Sequence, residues 1–348
     1  MNFRSFRPTL EMLRLIAELD EFKGSWRSLS GLSRERLASL KHVATVESIG
    51  SSTRIEGASL TDQQVKELLS GLGKGSFRSR VEQEVAGYAD VMDTVFQNWT
   101  EIPLTENHVK QLHRDLLQYS AKDERHRGNY KTVSNNVEAF GPDGERLGVI
   151  FRTASPFDTP FRMTELLAWT NDSLATSEIH PLLAIGVFIA SFLAVHPFQD
   201  GNGRLSRILT TFLLLRCGYA YVPYSSLESV VEANKEAYYL ALRATESAID
   251  ANEPDWDPWL HFFLRSMRKQ KANLEAKLVR ERLFDAALPE LSVRILELVR
   301  EHGRVKTSDI ETITGESRST IKVRLNDLVG RGLLLRHGKG PGTWYTQA

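Results

Sequence analysis

The chain has 348 residues, enough for two or three domains and a sizeable core. Its 44 Lys and Arg balance 44 Asp and Glu, which excludes a globally basic nucleic-acid coat and an acidic tail. A single cysteine, Cys217, excludes an internal disulfide and fits a reducing cytoplasm.

Met1 to Pro8 lack the apolar run of a signal peptide. Residues 1–75 read as a helical segment: Leu10, Leu13, Ile16 and Leu19 recur at helical spacing, and Thr61 supplies a cap. Within it, Ser51-Ser-Thr-Arg-Ile-Glu-Gly57 is by local chemistry an ordinary serine-rich helix entry or turn. Gly71 to Ser76 signals a loop, and helical patterns resume from Val81 to about Trp99 and from Glu106 to Leu117, where His113 is assigned a structural role. Asn135 to Arg152, with the turn Phe140-Gly-Pro-Asp-Gly-Glu145, reads as a β-hairpin. Pro181 to Val195 is apolar all round and too short to span a bilayer comfortably, so it predicts a central core helix ending at His196. The apolar setting of Cys217 predicts a buried, inert thiol.

The richest stretch is His196-Pro-Phe-Gln-Asp-Gly-Asn-Gly-Arg-Leu-Ser-Arg207. A histidine that can take a proton near neutral pH precedes an aspartate, a hard oxygen ligand suited to Mg²⁺. Gly201, Asn202 and Gly203 form a turn whose backbone amides can approach an anion, at the start of a helix that favours negative charge. Arg204 and Arg207 share one helix face and can clamp phosphates. Base, metal ligand, anion nest and cation clamp together describe nucleotidyl or phosphoryl transfer.

Position by position, this run resembles the motif of the Fic (filamentation induced by cAMP) family: HPF, any residue, D or E, GNGR, any two residues, R. The resemblance covers residues 105–265 well. It implies a mainly α-helical Fic domain with a β-hairpin flap, moving AMP from ATP to a Ser, Thr or Tyr hydroxyl of a target protein, possible self-modification included. Carried over, His196 is the base, Asp200 holds Mg²⁺, Gly201, Asn202 and Gly203 bind the α-phosphate, and Arg204 and Arg207 bind the outer phosphates. Phe198 anchors the loop from inside. In the related Doc toxins a lysine stands at the position of Gly203 and the γ-phosphate is transferred, so glycine favours AMP. Ser52, Glu56 and Gly57 fit the spacing of the family's inhibitory motif, whose glutamate pairs with the second arginine, here Arg207, and blocks the triphosphate. Gly148, Val149, Ile150 and Phe151 correspond to the nucleotide-facing part of the flap, and Tyr238 and Tyr239 to an adenine-side tyrosine pair, at least one of them structural. Two departures stand out: Thr153 to Pro156 replaces a common double proline, and Glu246 replaces an asparagine.

After a charged helical connector from Arg265 to Arg282, the pattern restarts. Helices at Ser292–Glu301, Thr307–Thr314 and Ser317–Val329, then a glycine-rich hairpin from Leu333, resemble a winged helix-turn-helix domain over 288–348. Arg318, Ser319, Thr320, Lys322 and Arg324 are its exposed helix face, with Arg336 and Lys339 on the wing. From Pro289 onward ten basic and seven acidic residues leave a net of only +3, so a DNA partner, a protein partner and a dimer contact all stay open. The expected domains are a helical segment at 1–75 with the inhibitory motif, a catalytic domain at 76–275 and the winged helix at 288–348. Two rivals to AMP transfer are hydrolytic AMP removal using Glu56 and a DNA-binding regulator whose catalytic-type domain senses nucleotide.

Overall fold

The computed structural model describes residues 6–26, 34–71, 77, 79–140, 146–151, 153–250, 254–338 and 340–347. The chain divides into two compact units, Met1–Asn273 and Leu274–Ala348. The N-terminal helices and the motif-bearing helices thus share one unit. The first unit contains α1 (Leu10–Trp26), α2 (Arg34–Ile55), α3 (Asp62–Gly71), α4 (Arg80–Asn98) and α5 (Glu106–Leu116). A hairpin follows, β1 (Val137–Phe140) and β2 (Arg146–Phe151), then α6 (Thr159–Thr176), α7 (Pro181–Val195), α8 (Asn202–Arg216), α9 (Leu227–Ala233), α10 (Lys235–Asp250) and the first turns of α11 (Asp257–Ala287).

The core is built on α7. Pro181 opens it with φ already set for a helix, and every residue from Leu182 to Leu193 is buried. Each such Leu, Ile or Phe contributes about 1.5–3 kcal/mol through removal from water, which holds the helix rigidly in the centre. At Gly186 the neighbouring α11 comes so close that a Cβ would lie 2.5 Å from Leu260 Cδ2, and the Trp259 indole N–H donates to the Gly186 carbonyl at 2.7 Å.

The apolar spacing in α1 is helical as expected, but its inward face is Met12, Leu15, Ile16, Leu19 and Phe22. Leu10 and Leu13 are exposed, whereas Ile16 and Leu19 fall on the buried face, which Met12, Leu15 and Phe22 complete. Cys217 is half-buried rather than buried, since it caps the C-terminus of α8; partial burial still pushes its thiol up and keeps it protonated. The hairpin strands are antiparallel, pairing Val137 with Phe151 and Phe140 with Arg146, with register irregularities after Val137 and Ala139. Its turn at 141–145 and the loop at 72–76 lie outside the described residues.

In the second unit, α12 (Glu290–His302), α13 (Thr307–Thr314) and α14 (Arg318–Gly330) accompany a three-stranded antiparallel sheet. β3 (Val305–Lys306), β4 (Leu334–His337) and β5 (Trp344–Gln347) lie in the order β3-β5-β4. Ile295, Val299, Ile310, Ile321, Leu325, Leu328, Leu334 and Tyr345 form its core. Strand β3 was not foreseen: two residues carry no alternation pattern. Among the described residues no helix is long and apolar enough to cross a membrane.

Candidate functional site

Helix α7 ends on His196, which adopts φ +50 in the left-handed region. A non-glycine residue there is strained, and such positions concentrate at working sites. The imidazole Nδ1 lies 3.2 Å from the Leu193 carbonyl; a carbonyl only accepts, so Nδ1 carries the proton and Nε2 the basic lone pair. Burial pushes this imidazole down to about 4, against the opposing bond to Leu193, so it is neutral near pH 7.

The loop after His196 turns through Gly201 at φ +80 and opens α8, whose first amides at Asn202 to Arg204 have no intrahelical acceptor. Asn202 fastens this loop: its Oδ1 accepts from the Phe198 N–H at 2.9 Å and its amide donates to the Phe198 carbonyl at 2.7 Å. The side chain expected on the α-phosphate is therefore turned to the loop's own backbone, leaving the amides of the turn to face an anion. Phe198 is fully buried, as expected, and stacks on His113 at 3.7 Å between ring centroids.

Arg204 and Arg207 are both buried on α8, and Arg204 lines the cavity described below. Arg204 pairs through Nη1 with Glu84 (3.2 Å) and through Nη2 with Asp200 (3.4 Å), which leaves its Nε without a hydrogen-bond partner. A buried guanidinium with an unsatisfied donor and two long contacts can turn to an anion. Arg207 is fully engaged: Nε donates to Ser52 Oγ at 2.8 Å, and Nη2 to the Ser52 carbonyl at 3.0 Å and to Glu56 Oε1 at 2.7 Å. Burial alone pushes the Glu56 carboxyl up, but Arg207, helped by Arg204 and His196, holds it below the usual carboxylate range. Gly57 turns the chain away at φ +99. A Cβ at Gly203 would collide with Glu56 Oε1, so a side chain there would force this carboxylate to shift.

The end of α2 is held in place by Arg54, whose guanidinium grips Glu232 on α9 at 2.6 and 3.0 Å and Asp62 at 2.9 Å. No local pattern marks this clasp, because its partners lie 178 and 8 residues away.

Around these groups lies a cavity of about 690 Å³, lined by Glu56, Gly57, Arg80, Glu84, Asn136, His196, Asp200, Gly201, Asn202, Gly203, Arg204, Tyr238 and Tyr239. That volume suits a nucleotide-sized ligand. Tyr238 packs its ring on Tyr239, Trp259 and Phe262, so it is largely a core residue, whereas Tyr239 is half-buried beside the cavity. Gly148, Val149, Ile150 and Phe151 all fall on β2, which runs beside α10. Among the described residues no cluster of three or more His, Cys, Asp or Glu converges on a metal position, and Asp200 is the motif carboxylate at the cavity.

Two supports were missed as such. Lys131 is buried beneath the motif, its ammonium donating to Asn135 Oδ1, Thr153 Oγ1 and the Val195 carbonyl at 2.8–3.0 Å; burial pushes it down to about 8. Asn135 in turn donates to the Phe198 carbonyl at 2.5 Å. The sequence marks Asn135 only as the start of the hairpin.

His113, on α5, bridges Gly128 and Asp200. Its Nδ1 accepts from the Gly128 N–H and its Nε2–H donates to the Asp200 carbonyl, both at 2.9 Å. Replacing it with alanine orphans two backbone groups and opens a cavity, so His113→Ala should destabilise by about 3–5 kcal/mol in a denaturant titration. Burial pushes His113 down to about 4, below its ordinary 6.5. The unfolded chain therefore takes up the proton first as pH falls, and the stability His113 contributes is complete above about 6.5 and is lost toward 4. Thermal melts from pH 7 to 4 should show Tm falling across that window, with a shallower fall in His113→Leu.

Residues 103–214 match the model of the Fic/DOC family, and residues 286–346 match a family of bacterial proteins of unknown function. A protein adenylyltransferase Fic of Drosophila virilis is 27% identical over 256 residues, covering 73% of this chain and 47% of that protein. The chain thus spans about half the length of the curated relatives it matches. Among solved structures, a Fic family protein from Desulfovibrio desulfuricans G20 superposes with a TM-score of 0.64 at 23% identity, over 99% of this chain and 97% of that one, a likeness of fold. A Fic domain containing signalling protein from Bacteroides thetaiotaomicron VPI-5482 gives a TM-score of 0.56 at 25% identity, over 72% and 94%.

Proposed function

We propose that this chain, whose residues 103–214 match the Fic/DOC family model, transfers AMP from ATP to a Ser, Thr or Tyr hydroxyl of a target protein. The observation that carries the reading is the buried Arg204 guanidinium, its Nε unsatisfied, lining a nucleotide-sized cavity together with His196. His196 Nε2 takes the proton of the target hydroxyl, whose oxygen attacks the α-phosphorus. The new P–O bond replaces the bond to the bridging oxygen, and pyrophosphate leaves. The amides at the start of α8 and the two arginines bind the phosphate oxygens. Asp200 would hold Mg²⁺ through a hard carboxylate oxygen, and the ion would supply neutralisation of phosphate charge. The open edge of the β1–β2 hairpin offers backbone pairing to an extended target segment.

Glu56 restrains this reaction. While its carboxylate occupies Arg207, the outer phosphates have one clamp instead of two. The test is incorporation of label from α-³²P-ATP with Mg²⁺ into a lysate or into the protein itself by Glu56→Gly. Label from α-³²P but not from γ-³²P supports AMP transfer; γ-label on protein would mean phosphoryl transfer.

A second reading concerns the C-terminal unit as a winged helix contacting DNA phosphates. Lys306, Arg318, Lys322 and Arg336 surround a cavity of about 320 Å³ with Thr307, Ser308, Thr343 and Tyr345. Among the described residues none of these four cations has a carboxylate partner within 4.0 Å. Lys339 lies outside the described residues, and Thr320 and Arg324 are only half-exposed. Duplex DNA should bind with a salt dependence whose slope falls by about 1 in Lys322→Ala. Absence of duplex binding at low salt would point to a protein partner instead.

A further inference from the structure

The motif carboxylate reaches the cavity with both of its oxygens already engaged. Asp200 Oδ1 is tied to its own loop, accepting from the Gly201 N–H at 2.6 Å and from Arg204 at 3.4 Å. Its other oxygen, Oδ2, accepts from Arg80 Nη2 at 2.6 Å. Arg80 is the first residue of α4, far from the motif in sequence, and its Nε donates to Glu84 at 2.7 Å. Glu84 reaches Arg204 at 3.2 Å, which closes a ring of alternating charges: Arg80, Asp200, Arg204, Glu84. Two members, Arg204 and Glu84, are sheltered at 3% and 13% exposure, whereas Arg80 and Asp200 are open at 43% and 37%.

We propose that Arg80 is the resident cation of this carboxylate: it covers Asp200 Oδ2 in the nucleotide-free chain and yields it to Mg²⁺ when nucleotide enters. The inference rests on the reading of Asp200 as the metal ligand. Oδ2 is the oxygen not bound to its own loop, so it is the one a metal takes. A guanidinium and Mg²⁺ cannot both occupy it, because like charges repel at that separation. The exposed Arg80 side chain can swing away while Nε keeps Glu84, so exchange breaks one ion pair rather than two. Arg204 meanwhile passes from Glu84 to phosphate oxygens. Arg80 is thus a positioning residue that sets the metal dependence of nucleotide binding, on an element separate from the one carrying Glu56.

The test measures the dissociation constant of α,β-methylene-ATP by calorimetry, with Mg²⁺ and with EDTA, in Glu56→Gly and in Glu56→Gly combined with Arg80→Ala, Arg80→Lys or Asp200→Asn. The readout is the ratio of the EDTA value to the Mg²⁺ value. Removing Arg80 should raise that ratio about tenfold, because one competing charge is gone. Arg80→Lys should keep the ratio near that of the parent, since an ammonium also pairs with Oδ2. Asp200→Asn should bring it close to one. A ratio unchanged or lowered in Arg80→Ala overturns the proposal, and so does equal weakening in both buffers, which is what a merely structural Arg80 gives. A ratio unaffected by Asp200→Asn overturns the metal-ligand reading and the inference with it, while leaving AMP transfer to be judged by the label experiment.

Discussion

Glu56→Gly is expected to raise α-phosphate transfer roughly 10- to 100-fold, since an arginine–carboxylate pair of this burial contributes a few kcal/mol against a competing phosphate. The fold should tolerate the change. Glu56 lies just beyond the end of α2 at Ile55, in a turn where glycine is at ease, and Arg54 still clasps Glu232 and Asp62. Ser52 continues to hold Arg207 Nε, so the freed guanidinium stays in place rather than collapsing. Calorimetry should show ATP binding tighter than in the parent. If the variant binds ATP no better, Glu56 is not the restraint.

In the Glu56→Gly background, His196→Ala is expected to cut transfer by about 10²- to 10⁴-fold, the usual contribution of a positioned base. Nucleotide affinity should change by less than about threefold, because the proposed phosphate contacts come from the α8 amides and arginines rather than from this ring. Measuring label incorporation and ATP binding on the same preparation separates the two effects. Transfer that persists without His196 would remove it as the base. Equal loss of binding would make it a structural cap of α7 instead.

The motif was legible because it is compact: histidine, carboxylate, glycine turn and arginines lie within twelve residues, from the end of α7 into the first turns of α8. α7 was legible for a similar reason, since an unbroken apolar run has one stable location, the centre of a core. Element boundaries in the C-terminal unit were readable from caps, as at Ser317, whose hydroxyl accepts from the Thr320 N–H. The face of α1 was not, because Leu10 and Leu13 fit helical spacing as well as Met12 and Leu15 do, and only neighbouring helices select between them. The resemblance supplied the pairing of Glu56 with Arg207; periodicity alone left Glu56 solvated.

By itself the sequence determined which chemistry-bearing residues lie together and that they sit where one helix ends and the next begins, since both follow from residues a few positions apart. The tertiary structure decided how those groups are occupied. It turned Asn202 onto Phe198, placed Lys131 beneath the motif, set Arg80 on Asp200 and fixed α2 through Arg54 so that Glu56 reaches Arg207. Each of these, apart from Asn202, joins residues 64 to 178 positions apart. Such pairings are chosen by how buried faces of helices pack and by the cost of leaving a sheltered charge unpaired, and neither leaves a local trace in the chain.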